Sequence, residues 1–331
     1  MEIYNDPKGE AYTRLIDYAI QHASMFVLVD RNDDPRAAYQ HILEQLKPFL
    51  VKQQSCESLM RKLEVAYTYE GTVYFYRCSP QSGVILKSVA NRLFDWRHPG
   101  LPEDLSFLDA EGRDWLITIA HEKIARIQID EEEAQRLSGE VKGLFLKGDF
   151  NSEFNVFLAD AIRHQAEELR VVGFGITSIP EEISQIQSLK SLEIFENKVT
   201  QLPRSLFQLT QLEELTLHLT DLMAIPEEIG QLSELRRLTI RCGCYWDLEP
   251  GTTIITKDKV ILKELPSSIG KLTKLEVLQI SYTGIKELPQ ELAQLTQLKF
   301  VDVSNNLLTS MPIVFEKFPG SVYVEASGNL F

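Results

Sequence analysis

Seven stretches of this chain, beginning at residues 166, 189, 212, 235, 275, 298 and 321, share one spacing of apolar residues. The third shows the pattern, LxxLxLxx(N/T)xLxx(L/I)P: Leu212, Leu215, Leu217, Thr220, Leu222, Ile225 and Pro226. The second repeats it at Leu189, Leu192, Ile194, Asn197, Val199, Leu202 and Pro203, and the sixth at Leu298, Val301, Val303, Asn306, Leu308, Met311 and Pro312. Successive starts are 23 residues apart except for one gap of 40, which is 23 plus an insertion of 17. A unit this short cannot bury its own apolar face, so copies must stack and share one continuous core.

Within each unit the LxL alternation predicts a short strand whose leucines point inward and whose intervening side chains point out. The ninth position (Asn197, Asn306, Asn329) holds an amide that can donate and accept where the strand turns. Proline in IPEEI, LPRSL, LPSSI and LPQEL then lets the chain enter a short helical turn. These residues are frame. Val141, Leu144 and Leu146 read as a degenerate first strand and residues 154–169 as a helix, together an N-terminal cap over about 141–165, since the ends of a stack would otherwise expose apolar faces. A partial unit begins at Ser321.

Units of the IPxxIxxLxxL form resemble the 23-residue leucine-rich-repeat class found in bacterial and eukaryotic interaction proteins. The resemblance covers residues 166–331 and implies parallel strands on a concave face that binds a protein partner, without catalysis of its own. The expected architecture is an α/β leucine-rich-repeat solenoid of about seven units in 141–331, preceded by an α+β domain in 1–140.

The register makes the outward positions legible. The third position of the seven units carries Glu168, Ser191, Glu214, Arg237, Val277, Phe300 and Tyr323, and the fifth Arg170, Glu193, Thr216, Thr239, Gln279, Asp302 and Glu325. The seventh carries Val172, Phe195, His218, Arg241, Ser281, Ser304 and Ser327, and the eighth adds Glu196, Leu219, Cys242, Tyr282 and Asn305. Stacking sets Val172, Phe195 and His218 in one column and Val277, Phe300 and Tyr323 in another. Aromatic and apolar columns edged by Glu193, Glu196, Glu214 and Asp302 suit a protein-binding face, where aromatic anchors supply affinity and charges set orientation. The insertion at about 249–264 flanks Lys257-Asp258 with two apolar runs, which predicts a small hairpin leaving the stack. Tyr245 and Trp246 beside it are further anchor candidates. The expected partner-binding set is Val172, Phe195, Glu196, His218, Arg241, Tyr245, Trp246, Val277, Tyr282, Phe300 and Tyr323.

The first 140 residues lack a repeat. Helical spacing predicts helices over Glu10–Ala23, from Pro35 with Ala38, Ile42, Leu46 and Leu50 on one face, from Ser79-Pro80 to about Trp96, and over Glu131–Leu137 capped by Asp130. Strands are expected at Met25–Val29, in the run Val65–Cys78 turning at Glu70-Gly71, and at Leu105–Leu108, Trp115–Ala120 and Ile124–Ile129. Helices and antiparallel strands without a βαβ rhythm define an α+β domain. The stretch LPEDLSFLDAEGRDWLITIAHE resembles a segment of a family of uncharacterised bacterial proteins, over about residues 60–135, which implies a bacterial source.

His121 beside Glu122 has the composition of a general base and its orienting carboxylate, but neighbours in a strand face opposite ways. No GxSxG, HExxH, phosphate loop or CxxC framework occurs, and Cys242-Gly-Cys244 lacks two further ligands for zinc. No catalytic residue, cofactor or metal site is assigned, and a non-enzyme is the expectation.

The formal charge is −14, with 23 acidic and 16 basic residues in 1–140 and 25 and 18 in 141–331, −7 in each part. Even acidity disfavours nucleic acid and anionic membrane and suits a basic protein partner. Met1 to Glu10 carries no basic region before an apolar run and no 18-residue apolar stretch exists, so neither signal peptide nor membrane span is expected. Four cysteines without CxxC pairs fit reduced thiols in a cytoplasm. Two functions remain. One is a cytosolic bacterial interaction protein, for instance an immunity or antitoxin-like protein or a scaffold. The other is an enzyme or signalling module in 1–140 whose target the repeats select.

Overall fold

A computed structural model of the chain describes residues 1–31, 38–57, 71–195, 198–218, 220–242 and 262–331. It forms two compact units, Met1–Ser152 and Glu153–Phe331.

The first unit is built on an antiparallel sheet in the order β3-β4-β2-β5-β6-β7-β1-β8. Its strands are β1 (Glu2–Ile3), β2 (Met25–Asp30), β3 (Leu50–Ser55), β4 (Thr72–Arg77), β5 (Glu103–Leu108), β6 (Asp114–Ile119), β7 (Ile124–Ile127) and β8 (Leu146–Lys147). The helices are α1 (Glu10–His22), α2 (Gln40–Leu46), α3 (Pro80–Val89) and α4 (Glu131–Glu140). Helix α1 buries Tyr12, Leu15, Ile16 and Ala19, the stripe that a 3.6-residue period predicts. In that core Trp96 Nε1 donates to Tyr12 Oη at 3.0 Å and Tyr12 Oη donates to the Leu86 carbonyl at 3.1 Å, so both polar tips are satisfied. Ser79 and Ser82 cap α3 reciprocally, and the Asp130 carboxylate accepts from Glu133 N at 2.8 Å to cap α4.

Three expectations are corrected in this unit. Leu50 does not extend a helix: Pro48 follows the end of α2, and Leu50 opens β3, a polar strand with most side chains exposed, which carries no apolar alternation to betray it. Strand β4 therefore pairs with β3, while residues 58–70, where its expected hairpin partner falls, lie outside the described residues, as does Pro35. The helix from Pro80 ends at Val89, and Leu93–Asp95 is a separate 3₁₀ turn that delivers Trp96 to the core. Residues 141–147 are not a first repeat: Val141, Leu144 and Leu146 pack in the core of the first unit, and β8 pairs with β1. Their apolar spacing serves either fold, and only the strand partner distinguishes the two.

The second unit begins with α5 (Phe154–His164), which buries Phe154, Phe157, Leu158, Ala161 and His164. Seven strands follow: β9 (Glu168–Val172), β10 (Ser191–Phe195), β11 (Glu214–His218), β12 (Arg237–Arg241), β13 (Val277–Ser281), β14 (Phe300–Asp302) and β15 (Tyr323–Glu325). They lie in sequence order in one parallel sheet, each residue paired with its equivalent one unit away, as Glu214 with Arg237 and Phe300 with Tyr323. After each of the first six strands Pro180, Pro203, Pro226, Pro266, Pro289 or Pro312 stands at the N-cap of a five-residue 3₁₀ turn. Leu192, Ile194, Leu215, Leu217, Leu238, Ile240, Leu278 and Ile280 are buried, forming the shared core. The hairpin expected near Lys257-Asp258 lies outside the described residues.

Two stability predictions follow from this side of the molecule. At Gly270 an added Cβ would stand 2.6 Å from the Glu291 carbonyl oxygen and 2.7 Å from Glu291 Cβ, so successive 3₁₀ turns stack in contact there. Gly270→Ala is expected to destabilise the second unit by about 2 kcal/mol, read from urea midpoints, because backbone must move to admit the methyl. Burial, with Arg163 next to it, lowers the His164 pKa to about 4. An unfolded chain takes up that proton near pH 6.5, the folded one only near 4, so stability falls as pH drops through this window and the full penalty is present below it. The loss is at most about 3 kcal/mol for this one group, and His164→Gln should flatten the melting-temperature profile between pH 6.5 and 4.

Candidate functional site

The outward side chains of β9 to β15 form one ruled face, because parallel pairing in register turns each repeat position into a row across the strands. Val172, Phe195, His218 and Arg241 are consecutive partners in one row, and Val277, Phe300 and Tyr323 in another. The Phe195 and His218 rings meet edge to face with centroids 6.1 Å apart, and Phe300 stacks on Tyr323 at 5.7 Å with an interplanar angle of 2°. Val172 is 37% and Tyr323 61% exposed, while Phe195, His218, Val277, Phe300 and Tyr282 are half-buried. Among the expected binding residues Glu196, Tyr245 and Trp246 lie outside the described residues, as do Asn197, Leu219 and Cys244.

Besides Cys242 at the eighth position, three outward positions prove to be buried. Thr239 is 6% exposed, Ser281 0% and Ser304 8%. A small side chain in a row of larger ones sits below their contact surface, so alternation assigns the face correctly and the depth wrongly. Thr239 Oγ1 is within 3.2 Å of Gln279 Oε1, and Ser304 N donates to Asp302 Oδ1 at 2.9 Å.

Charges on the face are largely paired across strands. Arg170 Nε lies 2.7 Å from Glu193 Oε2, and Arg237 Nε 3.6 Å from Glu214 Oε1. Arg241 lies with its guanidinium carbon 5.6 Å above the Tyr282 ring. Burial, with the Arg241 charge adding to it, lowers the His218 pKa, so this imidazole is neutral at pH 7. Cys242 is a buried thiol whose pKa burial pushes up to about 11, which keeps it protonated and unreactive.

In the first unit His121 and Glu122 do approach, Nε2 to Oε1 at 3.6 Å. They occupy a 3₁₀ turn, Ala120–Glu122, rather than a strand end, so strand alternation does not separate them. Both are more than half exposed, and water screens the pair. A constellation that spacing alone does not reveal lies elsewhere. Tyr39 Oη donates to Asp30 Oδ1 at 2.9 Å and lies 3.2 Å from His98 Nδ1, while Gln40 Nε2 donates to Asp30 Oδ2 at 3.2 Å. Arg31 Nε is 2.8 Å from Glu103 Oε2 nearby. Burial and the Asp30 carboxylate raise the Tyr39 pKa, holding it as a phenol that bridges histidine and aspartate. Asp30 stands at the end of β2, where the sequence predicts a strand leaving for a loop, and that position is the one signal that could have pointed here. Among the described residues no group of three or more His, Cys, Asp and Glu side chains is placed to hold a metal ion, and no helix is long and apolar enough to cross a membrane.

Neither a protein-family model nor a curated protein matches the sequence. Solved structures do. The leucine-rich repeat domain of the type III effector XopL is 23% identical over 61% of this chain and 60% of its own, with a TM-score of 0.44. A leucine-rich-repeat protein of Leptospira interrogans is 20% identical over 60% of this chain and 64% of its own, at 0.31, and the PEPR1–AtPEP1 structure 26% identical over 46% and 20%, at 0.38. The chain thus spans 64% or less of each of these three.

Proposed function

We propose, from the premise that residues 153–331 are a leucine-rich-repeat array, that this protein captures a protein partner on the exposed strand face of its repeats and performs no catalysis there. The observation that carries the reading is the pair of in-register ring contacts, Phe195 with His218 and Phe300 with Tyr323, held half-exposed on a rigid parallel sheet. Repeat arrays of this kind present their strands on a concave surface, and rings fixed by a sheet lose little side-chain entropy on binding. Acidic side chains outnumber basic ones at the outward positions, with Glu168, Glu193, Glu214, Asp302 and Glu325 against Arg170, Arg237 and Arg241. That balance favours encounter with a partner that is basic overall, as an immunity, antitoxin-like or scaffolding role would use.

The test is affinity capture from lysate of the source cell with the full chain as bait, beside the same chain carrying Phe195→Ala and Phe300→Ala. A specific protein retained by the first and lost by the second supports the reading. Equal retention by both sinks it. A second reading, an enzyme or signalling module in the first unit whose target the repeats select, draws on the buried bridge from Asp30 through Tyr39 to His98. It predicts that Tyr39→Phe abolishes function in the cell while capture on the repeats persists.

A further inference from the structure

Of the three arginines on the strand face, two are neutralised in place, by Glu193 and Glu214. Arg241, on the central strand β12, forms no ion pair among the described residues, and its Nε is buried without a hydrogen-bond acceptor. Pairing places Arg241 between His218 on β11 and Ser281 on β13. The same deficit runs along that row: His218 Nε2 and Ser281 Oγ are likewise buried with no hydrogen-bond partner, and Ser281 is 0% exposed. Three neighbouring strands, about 4.8 Å apart, thus hold three unsatisfied polar atoms in one line. Native structures leave few such groups unpaired, and those they keep call for an explanation.

The backbone adds a second anomaly at the same place. The eighth position of four units is left-handed, at Gly173 (φ 65°), Tyr282 (φ 54°), Asn305 (φ 55°) and Gly328 (φ 72°). Glycine and asparagine accept that conformation, whereas a bulky side chain is strained in it. Tyr282 breaks the local preference, and what the chain gains is an aromatic face under the Arg241 guanidinium.

We propose that Arg241, held between His218 and Ser281 with Tyr282 supporting the guanidinium, forms a recognition site for a carboxylate on an acidic side chain of the bound partner segment. A guanidinium is flat and weakly hydrated and takes a carboxylate through two parallel hydrogen bonds. His218 on β11 and the fully buried Ser281 on β13 flank the guanidinium without giving it a counter-charge. Glu193, whose charge His218 also feels, and the acidic surplus of the face favour a monoanion over a phosphate dianion. Phe195, paired with His218 in the same row, places an apolar partner residue beside that carboxylate. This inference rests on the strand face being the partner surface; it adds that a partner basic overall carries one acidic residue beside an apolar one.

The test uses the intact chain and 3-phenylpropionate as probe, followed through the His218 ring resonance in NMR, which is assigned by its absence from His218→Gln. A saturable shift is expected with a dissociation constant of about 10 mM or tighter, and bound anion should move the His218 pKa up toward the ordinary value of about 6.5. Arg241→Gln should abolish the shift. Tyr282→Gly, with a residue suited to φ 54°, should keep the melting temperature yet weaken binding severalfold. No shift, a shift that survives Arg241→Gln, or tighter binding of phenylphosphonate than of the carboxylate would each overturn the assignment. Partner capture lost on Phe195/Phe300 replacement but indifferent to Arg241→Gln would remove the carboxylate site and leave the strand-face reading standing.

Discussion

Replacing Asn306 with Ala is expected to destabilise the second unit by about 3–5 kcal/mol, the largest loss from any single polar side chain in the array. The amide is 3% exposed and uses both ends. Oδ1 accepts from Thr283 N at 3.0 Å and from Thr283 Oγ1 at 2.6 Å, while Nδ2 donates to the Ile280 carbonyl at 2.6 Å and the Val303 carbonyl at 2.8 Å. Truncation strands three backbone groups where the strand turns, each at about 1–3 kcal/mol, and leaves a small void. Aspartate would keep the acceptor and lose both donations, so Asn306→Asp should cost nearly as much. The readout is the urea midpoint at unchanged slope. A loss below about 1 kcal/mol would mean that water or a shifted backbone satisfies these groups.

Phe195→Ala together with Phe300→Ala is expected to weaken partner capture at least about 100-fold, or roughly 3 kcal/mol, when affinity is measured with the captured protein. The rings are half-buried in the free protein and meet His218 and Tyr323 in the rows. Stability should therefore fall by no more than about 1 kcal/mol per ring, the value of an aromatic pair. A collapse in stability matching the loss of binding would place these rings in the core and remove them from the partner surface.

The different fates of these residues show how far a repeat can be read. Leu215, Leu217 and Asn306 were legible because each answers to a constraint that recurs every 23 residues: a leucine inward, an amide at the turn. The columns of Phe195 with His218 and Phe300 with Tyr323 were legible for the same reason, since parallel pairing in register leaves no freedom in which equivalent positions meet. Depth was not. Ser281 and Ser304 occupy outward positions and are buried, because the size of neighbouring side chains decides how deep a small one sits. The first unit shows the sharper limit. The polar edge strand β3 gives no alternation to read, and the apolar spacing of Val141, Leu144 and Leu146 fits a repeat as well as the core it joins.

By itself the sequence determined the array, its register and which positions alternate to the outer face of the strands, because a short period forces identical units to stack one way. Only the tertiary structure decided where the first unit ends, that Tyr39 joins Asp30 to His98, and that Arg241, between His218 and Ser281, has no counter-charge among the described residues. Those facts depend on residues far apart in the chain meeting in space, and hydrogen-bond satisfaction is a property of the meeting rather than of any residue alone.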